Sequence, residues 1–249
     1  MACSWTGLLA IFLSVAALTL ATIALAIPMW SSTVVPGDIK NATAYQNVKF
    51  TTGVWGYCVN ADFGASGIVL DQCFSFYHTG GAGGELTMNG SSITKIAIGL
   101  DVCSEYMNAN SSTAMISTRI AGLDKDAFYN FMDKSCGSLG KATLAFATLG
   151  MAFGLLSVLS LLLFVTCCAA TSRFVTFASI FTLATVGSTL IAFCCWAGQV
   201  QPLGAYVSYG AGFGLEIAAF VLALAACVAI KLHQSKGGKA LMKEPNIKV

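Results

Sequence analysis

Apolar and polar stretches alternate on a coarse scale along this chain. Four long apolar runs cover residues 7–29, 142–168, 174–197 and 208–230. Roughly 110 mainly polar residues separate the first run from the other three. Each run matches or exceeds the ~20 apolar residues that carry a helix across a bilayer core. The pattern predicts a membrane all-α four-helix bundle with one large domain outside the bilayer, between the first and second helices. Pro28 stops the first helix, because it lacks an N–H, and Trp30 follows at the depth where tryptophan favours the headgroups.

The polar stretch carries its own periodicities. Residues 48–59 are rich in β-branched and aromatic side chains and read as a strand, and 67–77 read as a second. Gly80–Gly84 reads as a flexible turn. It lacks the Lys-Ser/Thr end and the strand–helix setting of a phosphate loop. Residues 85–89 and 92–98 fit a hairpin about Asn89-Gly90, a good turn dipeptide. Residues 112–134 read as mixed or helical, with Phe128, Phe131 and Met132 on one helical face. The outer domain is therefore expected to be an antiparallel β-sheet.

Composition agrees with a lipid surround. The 249 residues are 56% hydrophobic and only 10% charged, against about 25% charged in an ordinary soluble domain. Charge then sets the orientation. Residues 31–140 hold six Lys/Arg and nine acids, whereas the 168–173 turn and the tail after 230 hold six Lys/Arg and one acid, Glu244. Basic loops stay in the cytoplasm. The expected segments are a cytoplasmic N-terminus (1–6), a first span (7–30), a large extracellular domain (31–141), a second span (142–168), a cytoplasmic turn (169–173), a third span (174–197), a short extracellular loop (198–207), a fourth span (208–230) and a basic cytoplasmic tail (231–249). The expected location is the plasma membrane. A cleaved leader is the competing reading of the first run, since Ala24-Leu25-Ala26 resembles a cleavage site. No positive charge precedes that run, however, and it exceeds the about 7–15 residues of a signal core.

Cysteine usage follows the same topology. Four of the ten cysteines lie in the large domain: Cys58, Cys73, Cys103 and Cys136. An even number in an oxidising compartment predicts two disulfides. Three pairings are possible, and Cys58–Cys73 with Cys103–Cys136 is expected because it closes two successive local loops. Asn41, Asn89 and Asn110 each begin an N-x-S/T sequon in the same domain and are candidate glycosylation sites. Cys167 and Cys168, at the cytoplasmic end of the second span, are candidates for palmitoylation. Cys194 and Cys195 are expected to be packing residues.

Small residues mark the helices. Gly150 and Gly154 stand four apart in the second span, and Gly210, Gly212 and Gly214 open the fourth. Such spacings let membrane helices approach closely. Packing inside the bundle is expected, with lateral self-association as the alternative. Glu216 is the only acid in any span. An acid in hydrocarbon is costly and is a functional candidate by default; hydrogen bonding within the bundle or a protonated carboxyl is expected first, an ion path or partner contact second.

The local motif is Trp30, then Gly53-Val54-Trp55-Gly56-Tyr57-Cys58, then Cys73. It resembles the claudin-like superfamily, which includes claudins, peripheral myelin protein, fungal eisosome and pH-sensing four-span proteins, and amastins. The first extracellular loop of claudins has a Trp, a Gly-Leu-Trp-x-x-Cys and a second Cys. Gly53, Val54 and Trp55 stand at the Gly-Leu-Trp positions, and Cys58 and Cys73 at the two cysteines. The Gly-Tyr-Cys ending is similar to the fungal proteins, and the Trp-Gly pair to amastins. As topology the resemblance covers all four spans; as motif it covers about 45 residues. It implies a disulfide tying two extracellular strands, with a tryptophan beside it anchoring the sheet at the membrane surface. Claudin first loops are about half this length, so residues 78–136 contain an insertion with a second cysteine pair. Tetraspanins fit worse, because their large loop lies between the third and fourth helices.

Little points to catalysis. His78 and His233, the only histidines, are expected on opposite sides of the membrane, and no metal-ligand spacing or Ser-His motif is present. The expected protein is a non-enzymatic membrane component without cofactor, metal or nucleic-acid partner. Its expected partners are the lipid bilayer and either itself, as a homo-oligomer, or another membrane protein. A PDZ-type groove could take the terminal Val249. A structural role in arrays, membrane domains or cell junctions is expected first, an auxiliary subunit of a channel, receptor or sensor second, and an ion pore last.

Overall fold

The computed structural model describes residues 5–34, 47–62, 68–77, 83–88, 91–97, 102–106, 125–166 and 173–241. In chain order the elements are α1 (Trp5–Ala26), β1 (Ser31–Val34), β2 (Asn47–Gly53), β3 (Gly56–Asp62), β4 (Ile68–Ser75), β5 (Gly83–Met88), β6 (Ser91–Ala97), α2 (Val102–Tyr106), α3 (Lys125–Cys136), α4 (Ser138–Thr166), α5 (Arg173–Val200), a 3₁₀ turn (Gln201–Tyr206), β7 (Val207–Tyr209) and α6 (Ala211–Leu241). Helices α1, α4, α5 and α6 are each long and apolar enough to cross a membrane, which is the mark of a multi-pass membrane protein. The chain divides into two compact units. One holds Met1–Ile23, Phe146–Ile191 and Leu215–Val249, and the other Ala24–Ala145 and Ala192–Gly214.

The first unit is helical, and its residues are sorted by size. The buried stripe of α1 is Ala10, Ser14, Ala17 and Ala21, and that of α6 is Glu216, Ala219, Ala223, Ala226 and Ile230. These recur every three or four residues, the spacing of one helix face. The large apolar residues point outward: Leu155, Leu159, Leu162 and Leu163 on α4, Phe177, Ile180 and Leu183 on α5, and Ile217, Val221, Leu224 and Val228 on α6. A water-soluble bundle would show the reverse. Lipid tails are as apolar as leucine, so small faces that allow close approach hold such helices together. Gly150 faces Thr189 and Ser188 of α5, and Gly154 faces Leu18 of α1 and Thr185 of α5. Both glycines therefore pack inside the bundle. Ser157 and Thr182 share a 2.6 Å hydrogen bond between α4 and α5. Near the other helix ends, Thr6 Oγ1 lies 3.2 Å from His233 Nδ1.

The second unit is built on a seven-stranded sheet in the order β6-β5-β4-β3-β2-β1-β7. All its pairings are antiparallel. Side chains alternate across it with the strand period of two. Register rows Phe50–Val59–Gln72 and Thr52–Tyr57–Phe74 lie on the buried face. Lys49, Asn60 and Asp71 form an exposed row on the other. Helix α3 covers the buried face. Phe128 and Phe131 meet Phe50 edge-on with ring centroids 6.2 Å apart, and Tyr57 stacks on Phe74 at 5.0 Å.

Several boundaries differ from those read in the sequence. The stretch 48–59 is not one strand: β2 and β3 form a hairpin that reverses at Val54-Trp55. Gly83 and Gly84 belong to β5 rather than to a turn. The first helix ends at Ala26, so residues 27–30 lie beyond it, and α4 begins four residues before the expected 142. The expected short loop at 198–207 holds the end of α5, the 3₁₀ turn and the start of β7. The first residues of the expected fourth span, through Tyr209, are strand. Beyond the expected end of that span, α6 continues to Leu241.

Candidate functional site

Within the second unit the sheet is fastened to the ends of α1, α5 and α6 through Trp30. Pro28 releases the chain from α1, and three residues later β1 begins. The Trp30 N–H donates to Thr52 O at 2.9 Å, its carbonyl accepts from Gly210 N–H at 2.9 Å, and Met29 O accepts from Gly212 N–H at 2.8 Å. The two residues before β1 thus bond to β2 on one side and to the start of α6 on the other.

The Trp30 side chain fills the junction and is 0% exposed. Its indole Nε1–H donates to Ala24 O at 2.6 Å. Its ring meets Trp196 edge-on at 5.4 Å and Phe213 at 6.5 Å. Trp196, also fully buried, donates from Nε1 to Ser31 Oγ at 3.0 Å. Buried indoles need such partners. Trp30 is therefore a core residue with a satisfied donor, its indole closed to both lipid and water.

Three glycines make this approach possible. A Cβ on Gly212 would stand 2.6 Å from Trp30 Cδ1. One on Gly53 would stand 2.8 Å from Pro28 Cα. One on Gly210 would collide with the Met29 carbonyl. Gly214 differs, because a Cβ there would meet nothing. Gly53 presses the β2–β3 turn against Pro28, Val54 beside it is buried, and Trp55 projects outward, 42% exposed.

Both expected disulfides are formed. Cys58 and Cys73 are register partners on β3 and β4. Their bond joins strands already hydrogen-bonded, on the face opposite the aromatic core. Cys103 and Cys136 join α2 to the last residue of α3. The same end of α3 is gripped from several sides. Tyr77 Oη–H donates to Ser135 O. Gln199 Nε2 donates to Ser135 Oγ at 2.8 Å, and Thr143 Oγ1 donates to Gln199 Oε1 at 3.2 Å. Lys134 Nζ donates to Gly198 O and Gln201 Oε1, each at 3.0 Å. Sequence reading missed Trp196, Gln199, Ser135 and Lys134, since no local pattern distinguishes them. Gly212, by contrast, belongs to the small-residue run that the sequence marks for close approach.

Glu216 is 1% exposed, and its Oε1 has no hydrogen-bond partner. Cys194 is exposed and Cys195 half-buried, so Cys194 is not the packing residue expected. Asn41, Asn89, Asn110, Cys167, Cys168, His78 and Val249 lie outside the described residues. Among the described residues, no group of three or more His, Cys, Asp or Glu could hold a metal ion. The chain matches no family model and no curated protein.

Proposed function

We propose that this chain is a claudin-like four-span membrane protein whose sheet domain faces the outside and serves as a rigid platform for contact. Through that domain and its helix faces it associates with copies of itself, organising arrays, membrane domains or cell contacts. The observation that carries this reading is the Trp30 junction. Backbone hydrogen bonds, two buried indoles and glycines with no room for a side chain lock the sheet onto the helix ends. Two disulfides restrain the same unit. A unit braced this way presents a preorganised surface, and preorganisation lowers the ordering cost of association. Of the positions that resemble the claudin-like motif, Trp30 and Gly53 lie in this junction, Trp55 follows in the β2–β3 turn, and Cys58 and Cys73 bond β3 to β4. The platform is non-catalytic.

Mild cross-linking in the native membrane, followed by mass spectrometry, tests this. A ladder of self-linked species with contacts in residues 31–140 is the expected result. A dominant link to one different membrane protein in fixed ratio would replace self-assembly with an auxiliary-subunit role.

A further inference from the structure

The two disulfides of the second unit differ in their surroundings. Cys58 and Cys73 are directly opposed on β3 and β4, and both are half-buried on the open face of the sheet. Cys103 and Cys136 are buried, at 8% and 9% exposure. Phe76 N–H donates to Trp55 O at 2.8 Å, one rung beyond the Gly56–Ser75 pair, so Trp55–Phe76 is a hydrogen-bonded rung. Bonded and non-bonded rungs alternate in an antiparallel ladder. Tyr57–Phe74 and Val59–Gln72 are then bonded rungs, and Cys58–Cys73 is the non-bonded rung between them. Cα atoms on such a rung stand ~4.5 Å apart, near the short limit for a disulfide, whose preferred span is about 5.5–6 Å. A bond placed there by its ladder is more readily reduced. It also holds less of the fold. The bonded rungs on either side keep β3 on β4 without it, and it closes a separation of 15 residues against 33 for Cys103–Cys136. Asn60 and Asp71 form the next rung on the same open face.

We infer that Cys58–Cys73 is a redox-sensitive switch in the open face of the sheet, opened selectively by a dithiol while the sheet itself persists. One thiolate of the dithiol attacks a cysteine sulfur, breaking the Cys58–Cys73 bond and forming a mixed disulfide. The second thiol of the reductant then displaces that cysteine, so the reductant leaves as its own disulfide. Two electrons and two protons pass to Cys58 and Cys73, which remain as adjacent thiols able to re-form the bond. Cys103–Cys136 resists because it is buried and lies where Lys134 and Ser135 fasten the end of α3. Opening frees the rung beside Asn60 and Asp71 to widen, which alters the face offered for contact. That last consequence rests on the contact role proposed above, whereas the selective opening stands without it.

The test titrates the full chain in detergent micelles with dithiothreitol, after its free thiols are blocked. Newly formed thiols are trapped by alkylation and assigned by peptide mass spectrometry. Cys58 and Cys73 should reach half-alkylation at a dithiothreitol concentration roughly tenfold or more below that for Cys103 and Cys136, with tryptophan emission unchanged. Opening of both pairs together, earlier opening of Cys103–Cys136, or a shift of emission as Cys58–Cys73 opens overturns the switch. Cross-linking before and after selective opening then reads the effect on contact. A self-linked ladder that changes on opening supports the switch, and one that stays the same overturns it. Absence of a ladder in both states overturns self-association instead, while the order of alkylation still decides whether Cys58–Cys73 opens selectively.

Discussion

At the scale of single residues, absence of a side chain does as much as presence of one. Gly212 and Gly214 are two apart in the same helix turn, yet a methyl group on the first would overlap the Trp30 ring and on the second would meet nothing. Gly212→Ala should cost about 1–3 kcal/mol through overpacking. Gly214→Ala should be neutral or gain up to about 1 kcal/mol from helix propensity. Thermal unfolding in detergent, read by tryptophan emission, separates the two, and equal effects would sink this account of the junction. Glu216 gives the opposite kind of test. A buried carboxyl oxygen without a partner costs about 1–3 kcal/mol. Glu216→Met keeps the shape and removes the unmet demand, so the variant should be more heat-stable than wild type. A loss of stability would show that the carboxyl has a partner of its own.

At the scale of elements, the two disulfides do different work. Cys58–Cys73 closes a separation of 15 residues between strands already paired, and Cys103–Cys136 closes 33. By loop entropy alone the two contribute about 3 and about 3.7 kcal/mol. The second also holds the end of α3, where Lys134 and Ser135 bond to the end of α5. Cys103→Ala with Cys136→Ala should therefore destabilise the sheet-bearing unit more than Cys58→Ala with Cys73→Ala. Denaturant titration of the two double variants, followed by tyrosine and tryptophan emission, checks the order.

At the scale of the whole molecule, size sorting replaces polarity sorting in the helices. Most of the exposed positions are leucine, isoleucine, valine and phenylalanine, and most of the buried ones alanine, serine and threonine, with Leu161 and Ile230 as buried exceptions. If lipid surrounds these helices, the charge asymmetry of the chain fixes which side the sheet faces. An epitope inserted at the C-terminus should then be reached by antibody only after cells are permeabilised, and one inserted near residue 80 without permeabilisation. The reversed pattern would place the sheet in the cytoplasm, where its two disulfides would not persist.

Much of this architecture was legible in the sequence, because each legible feature is a one-dimensional signal. Run length marks the helices, alternation marks the strands, and Phe128, Phe131 and Met132 share a face by helical period alone. The two disulfides were legible because each closes a local loop. The reversal at Val54-Trp55 was not, since β-branched and aromatic residues continue through the tight turn and no sequence period breaks there. Nor was the strand at Val207–Tyr209, whose conformation depends on pairing with Ser31–Thr33, some 175 residues away in the chain. The sequence by itself determined four apolar helices, a disulfide-bearing β domain and the residues rich enough in chemistry to matter. Only the tertiary structure decided that Trp30 is buried and Trp55 exposed, that Gly212 is constrained and Gly214 free, and that Glu216 is left without a full set of partners. Those outcomes depend on which distant atoms come within a few ångströms, and no local pattern of residues encodes that distance.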